Sequence, residues 1–343
     1  MNFDYIIGNP PYQDETIGDN KGFAPPVYDK FIDGAYQIGD KVELIHPARF
    51  LFNAGSTPKQ WNKKMLNDPY LKVLSYEPDA SKIFPNTDIK GGVVVTYYDK
   101  ENEFGAIDVF TPYNELNSIL HKVIKKDGEY LSKIAISRTS YRMTDTMHKE
   151  NPNAIKLLSK GHPYDMSTNI FELLPFIFYN TKPNDGHEYI QILGRENNER
   201  VYKYIRRDYV NDVVNLNSYK VILPKASGTG AFGETIAPPI IGKPGLANTE
   251  TFLSIGNFST GEEADNLLKF IRCKFTRALL DVVKVTQDIT PDKFKYVPLQ
   301  DFTSSSDIDW SKSIHDIDLQ LYAKYGLDAA ETAFIEKNVK PMS

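Results

Sequence analysis

The segment Phe3-Asp4-Tyr5-Ile6-Ile7-Gly8 runs straight into Asn9-Pro10-Pro11-Tyr12, and this junction constrains the chain more than any other feature. Six short, β-rich, mostly apolar residues read as a strand. Pro10 and Pro11 have no amide hydrogen to give a ladder, so the strand ends there. The polar, Gly- and Pro-rich stretch 13–26 reads as a loop. Residues 27–38 have helical spacing, with Phe31, Ala35 and Ile38 on one face. Strands are predicted at 42–46, 71–76 and 92–98, with a short helix at 62–66. The run 92–98 is apolar enough to be buried on both faces. This alternation is the grammar of half a doubly wound α/β sheet.

After about residue 110 the grammar changes. A helix is predicted at 114–126, then short strands at 189–193, 201–205, 219–223 and 252–255. Residues 261–285 read as one long amphipathic helix. Leu268, Ile271, Phe275, Leu279 and Val282 share one arc, and Lys269, Lys274, Arg277 and Lys284 the other. A last helix is predicted at 329–338. With 343 residues the chain is long enough for two domains. The expected division is an α/β domain over 1–115, a partial doubly wound sheet, followed by an α+β domain over 116–343.

A single cysteine, Cys273, excludes an internal disulfide and a multi-cysteine zinc site, and it reads as a small buried hydrophobe. The six histidines, His46, His121, His148, His162, His187 and His315, show no ligand spacing, so no metal is expected. No run of about 18 apolar residues is present and no basic start resembling a signal peptide, which predicts a cytoplasmic protein without a membrane span. Net charge is −5, but the segment 111–300 carries 25 basic and 21 acidic side chains, so only the middle favours a polyanion.

The residues at 9–12 suit one kind of chemistry. A planar amino nitrogen conjugated to a ring is a poor nucleophile because its lone pair is delocalised. Two fixed acceptors, the Asn9 side-chain oxygen and the Pro10 carbonyl, favour a pyramidal nitrogen with a localised pair. Pro10 and Pro11 hold those acceptors rigidly, and Tyr12 offers a stacking face. The position suits a ligand too, because open α/β sheets bind at the carboxyl ends of strands.

The segment Asp4–Tyr12 resembles the catalytic motif of N6-adenine DNA methyltransferases of restriction-modification systems, in the gamma order in which the catalytic half precedes a target-recognition domain. The stretch 42–50 resembles the family's next strand and loop, and 83–95 its later loop and strand. The tail, with 294–302, Ile308-Asp309-Trp310 and Tyr325-Gly326-Leu327, resembles the end of its recognition domains. The resemblance implies S-adenosylmethionine as cofactor and double-stranded DNA as partner. It implies an adenine extruded from the duplex, held by Asn9 and Pro10 and stacked between Tyr12 and Phe84. Read from the residues alone, Phe84 is equally a core residue at a strand edge.

Only eight residues precede Asn9, whereas the family places its cofactor-binding half before the catalytic strand. That half is therefore expected on a second polypeptide, or lost, and the chain alone is expected to be inactive or weak. The run Gly228-Thr229-Gly230-Ala231-Phe232-Gly233 matches G-x-G-x-x-G but no helix is predicted after it, so it reads as a loop. Pro78-Asp79 with Asp88-Ile89-Lys90 imitates a nuclease pattern and reads better as solvated loop charge. The candidate DNA contacts are Arg206, Arg207, Lys225, Lys269, Arg277 and Lys284, with a solvated helix face as the competing reading. Two other functions stay open: methylation of a protein glutamine, and a non-catalytic DNA-binding specificity subunit or truncated remnant of a restriction-modification enzyme.

Overall fold

The computed structural model describes residues 2–14, 24–85, 87, 89–125, 127–284 and 286–342. Most of the loop read at 13–26, Asp88 of the nuclease-like pattern, and the helix ends read at Lys126 and Val285 lie outside the described residues. The chain divides into two compact units, Met1–Asn117 and Ser118–Ser343.

The first unit is built on four strands: β1 (Phe3–Gly8), β2 (Gly39–Pro47), β3 (Leu71–Glu77) and β4 (Val93–Asp99), in spatial order β1-β2-β4-β3. Helices α1 (Tyr28–Ile38) and α2 (Lys59–Leu66) flank it. Only β1 and β2 pair in parallel, joined through α1, and β3 runs in the same direction as both. β4 is antiparallel to both β2 and β3. The predicted half of a doubly wound sheet is therefore a mixed sheet with one parallel pair. Residue patterns fix which segments are strands but not their direction, and here β4 inserts between β2 and β3.

The core lies on one sheet face. Val42, Leu44, Leu71 and Val94 pack with Tyr28 and Ile32 of α1 and with Trp61 and Met65 of α2. The inward face of α1 differs from the predicted one. Tyr28 and Ile32 are buried, while Phe31 and Ile38 are 49% and 43% exposed. Both stripes are apolar, so periodicity alone left two choices. At the outer side of β1, Phe3, Tyr5 and Ile7 are exposed, Ile7 by 74%.

His46 sits at the end of β2 with no exposed surface. Its Nε2 lies 2.8 Å from Thr96 Oγ1, and its ring stacks on Tyr28 at 5.8 Å. Burial pushes its pKa down to about 4. Above pH ~6.5 the ring is neutral in both folded and unfolded chains. Between ~6.5 and ~4 only the unfolded chain takes up the proton, so stability falls through that window. The expected loss is about 2 to 3 kcal/mol. Denaturant titrations of the wild type and His46→Gln at pH 7.5 and 4.5 measure it: the acid-induced loss shrinks by that amount in the variant.

The second unit holds two sheets. β6 (Tyr189–Glu196) and β7 (Glu199–Arg206) form an antiparallel hairpin, and β10 (Leu246–Asn248) adds parallel to β6. The other sheet runs β5-β11-β8-β9, with β5 (Ala135–Ile136), β8 (Tyr219–Pro224), β9 (Ile240–Gly242) and β11 (Phe252–Phe258). Helix α3 (Asn114–Val123) spans the division between the units, and short helices α4 (Asp145–Glu150) and α5 (Ile170–Leu173) precede the hairpin.

The predicted long helix is two helices, α6 (Gly261–Arg272) and α7 (Lys274–Asp281), broken at Cys273. The break has a tertiary cause. Asp318, on α8 (Ile314–Lys324), accepts the amides of Lys274 and Phe275 at 3.0 and 2.9 Å. Those are orphan donors at the start of α7, and the carboxylate satisfies them. Helix α9 (Ala329–Asn338) opens on a capping box of Asp328 and Glu331.

Candidate functional site

β1 leaves the sheet against β2. A Cβ on Gly8 would meet Leu44 Cδ2 at 3.3 Å, so a small residue lets the strand end lie close. Asn9 and Pro11 are exposed, Pro10 and Tyr12 half-buried, and the four line an open recess. Among the described residues neither the Asn9 carboxamide nor the Pro10 carbonyl has a hydrogen-bond partner. The chain beyond is pinned: Val27 donates its amide to Tyr12 O at 3.2 Å, and Gln13 bridges Pro26. The tetrapeptide is thus anchored on both sides while its acceptors stay open, which is preorganisation in the sense that matters for charge development.

Tyr12 Oη reaches the Ile45 carbonyl, at the end of β2, at 3.5 Å. Partial burial raises its pKa, so the phenol stays neutral. The Tyr12 and Phe84 rings lie 6.3 Å apart at 71°, edge to face. The structure therefore brings together the two rings named from the sequence. A flat ligand between them needs one ring to turn.

A second cavity, about 310 Å³, adjoins this place. Tyr12, Tyr28, Arg49, Gly55 and Ser56 line it. Arg49 is exposed, and its stem passes between two glycines in the left-handed region, Gly55 (φ 88°) and Gly91 (φ 86°). A Cβ at Gly91 would stand 2.7 Å from Arg49 Cγ. Glycine at 91 is what leaves room for this side chain. The sequence reading placed Arg49 inside a motif but gave it no role.

The residues read as nuclease-like do turn work. Asp79 accepts from the Ser81 amide at 3.1 Å and from its hydroxyl at 2.6 Å, which holds its pKa low.

The candidate DNA contacts are placed unevenly. Arg206 is held by Glu150 (2.6 Å) and Asp208 (2.5 Å) and lies over the Tyr209 ring. Arg207 pairs with Asp212 and donates to the Val210 carbonyl. Lys269 donates to Trp310 O at 2.8 Å and pairs with Asp265. Arg277 is fully buried and donates to the carbonyls of Arg272, Glu234 and Lys340. Lys284 is 1% exposed. The predicted basic helix face is thus interior at Arg277 and Lys284, because α7 and the residues after it are buried on nearly every side rather than along one apolar stripe. Lys225 lines an open cavity with Arg195 and Arg200.

The glycine-rich loop offers no cofactor seat. The Thr229 and Gly230 amides point at the Glu234 carboxylate, at 2.7 and 3.3 Å, so an acidic side chain of the same loop fills the nest. No helix follows, and Gly233 is tied to Asp281 and Lys340. Among the described residues the chain presents no built seat for S-adenosylmethionine. No group of three His, Cys, Asp or Glu suited to a metal occurs among them either, and no helix is long and apolar enough to cross a membrane.

The sequence of the first unit is similar to that of known proteins. Residues 1–84 match the family described as Eco57I restriction-modification methylase. An "uncharacterized adenine-specific methylase" of Mycoplasma pneumoniae is 29% identical over 106 residues, which is 30% of this chain and 25% of that protein. Among solved structures, the type IIG restriction endonuclease BpuSI matches over 97% of this chain and 52% of its own, at 10% identity and TM-score 0.32. The type IIL restriction-modification enzyme MmeI, in complex with DNA, matches over 97% and 56%, at 8% identity and TM-score 0.31. The chain thus spans about a quarter of the curated relative and about half of these two enzymes. The opening quarter of the chain carries the sequence pattern of a restriction-modification methylase.

Proposed function

We propose that this chain supplies the acceptor side of a site-specific adenine N6 methylation of DNA. One observation carries the reading: the Asn9 carboxamide and the Pro10 carbonyl stand open and unpartnered at the end of β1, beside the Tyr12–Phe84 ring pair. The family match over residues 1–84 supports it.

The target adenine leaves the duplex, because its N6 is out of reach in the stack. Tyr12 and Phe84 close on its faces. The Asn9 oxygen and the Pro10 carbonyl accept the two N6 hydrogens and draw the lone pair out of conjugation, towards the incoming methyl group. As the methyl group's bond to its donor breaks, an N–C bond would form and one N–H proton would leave to solvent at the open rim, with no covalent bond to the protein. In the family the methyl group comes from S-adenosylmethionine. Among the described residues none is placed to hold that cofactor, so the donor half lies outside them. The outer edge of β1, where no described strand pairs, is where such a half adds.

The test is motif-resolved mapping of N6-methyladenine in the native host with the gene intact, deleted, or carrying a variant. One methylated motif is expected to vanish on deletion. An unchanged methylation map overturns the reading, and duplex binding with no methylated motif favours a specificity subunit. Phe84→Ala is expected to remove one stacking face. Affinity for a duplex with a mismatch at the target adenine then drops by about 1 to 3 kcal/mol, measured by fluorescence anisotropy.

A further inference from the structure

The hairpin of β6 and β7 turns on Asn197 and Asn198, both left-handed at φ 52° and 65°. Such a two-residue turn fixes the register. The register sets Arg195 directly opposite Arg200. Like charges at a directly opposed pair repel, and among the described residues neither guanidinium is paired with a carboxylate. Each guanidinium is instead anchored by a carbonyl: Arg195 Nη2 donates to Asn198 O at 2.8 Å, and Arg200 Nη2 to Pro238 O at 2.7 Å. Arg200 also lies 5.8 Å from the Phe252 ring. One N–H of each fork is used, so most of each guanidinium faces outward.

These two arginines wall a cavity of about 390 Å³ with Thr168, Asn198, Lys225 and the edge of Phe252. Among the described residues no carboxylate lines it. The nearest acid to Lys225 is Asp288, at 3.8 Å and half-exposed, a separation at which an exposed pair is weak. Three cations, two of them forced together by strand register, converge on an open cavity beside a hydroxyl and an amide. That arrangement is incomplete without an anion with several oxygens, and guanidinium forks match a phosphate.

We infer that this cavity seats a phosphodiester of duplex DNA between Arg195, Arg200 and Lys225. The inference rests on DNA being the substrate. It assigns the backbone contact of the second unit to the hairpin rather than to the α6–α7 face. A phosphate contact positions the duplex and carries no sequence information itself.

The experiment uses the full chain and a fluorescein-labelled duplex, titrated by anisotropy over a range of chloride concentrations. Each neutralised phosphate contributes about 0.9 to the slope of log affinity against log salt. The triple variant Arg195→Gln, Arg200→Gln, Lys225→Gln is expected to lower that slope by about 1 and to weaken binding on the order of 10-fold at moderate salt. Arg200→Lys keeps the slope, and Lys312→Gln, a surface control, leaves slope and affinity unchanged. Without DNA, Arg200→Gln is expected to leave the melting temperature unchanged or raised, since it relieves repulsion; a clear drop marks a structural role and overturns the inference. A triple variant that binds like the wild type also overturns it and leaves the DNA reading standing. A wild type that binds no duplex at low salt overturns both. Inorganic phosphate at matched ionic strength is the other arm: if it binds the wild type tightly and not the triple variant, while duplex affinity is the same in both, the seat belongs to free phosphate.

Discussion

Asn9→Ala abolishes motif methylation, by about a hundred- to a thousand-fold in rate, the usual cost of removing one preorganised polar group at the reacting atom. The same change leaves the fold untouched. Asn9 is exposed and has no hydrogen-bond partner among the described residues, so no buried group is orphaned. Duplex affinity is expected to hold within about twofold, because the carboxamide engages the nitrogen most strongly as its lone pair localises. Asn9→Asp keeps the acceptor and is expected to retain more activity than Asn9→Ala. Single-turnover methylation with the reconstituted system, beside a thermal melt, separates these outcomes. Normal methylation by Asn9→Ala removes the proposed role of the tetrapeptide.

Arg277→Ala acts in the opposite sense. Its guanidinium is fully buried and binds three main-chain carbonyls from three segments: the end of α6, the glycine-rich loop and the tail after α9. Truncation leaves those carbonyls without donors and opens a cavity the size of a long side chain. The expected cost is at least about 3 kcal/mol, since each orphaned buried acceptor costs roughly 1 to 3. Denaturant unfolding reads it directly. A DNA contact at Arg277 predicts weaker duplex binding at an unchanged midpoint. The buried geometry predicts a lowered midpoint and, in the fraction that remains folded, normal binding.

The contrast between these residues shows what a sequence carries. The strands of the first unit were legible because short apolar runs end at Pro10, Pro47 and the turn before Gly92. The chemistry proposed at 9–12 was suggested by the sequence because it needs only four contiguous residues. The pairing of β4 against β2 and β3 was not, since alternation says nothing of direction. The inward stripe of α1 was ambiguous between two apolar faces. The break at Cys273 had no glycine or proline to mark it, because its cause is a carboxylate 45 residues away in sequence, Asp318. Burial of α7 on nearly every side, which an amphipathic pattern does not announce, put Arg277 inside. The Arg195–Arg200 pair was within reach: Asn197-Asn198 between two β-rich runs is a hairpin signal, and counting outward gives the register.

β1 lies at the border of its sheet, with Phe3, Tyr5 and Ile7 bare to water and a row of main-chain amides and carbonyls facing outward. Natural sheets guard such borders with lysine, proline or a bulge, and this one has none of these along its six residues. The chain in isolation is therefore a template for itself. Two copies aligned along β1 would join their sheets, so scattering from the isolated chain is expected to rise with concentration. The same six residues that deliver the tetrapeptide to its place also make solitude uncomfortable for the molecule.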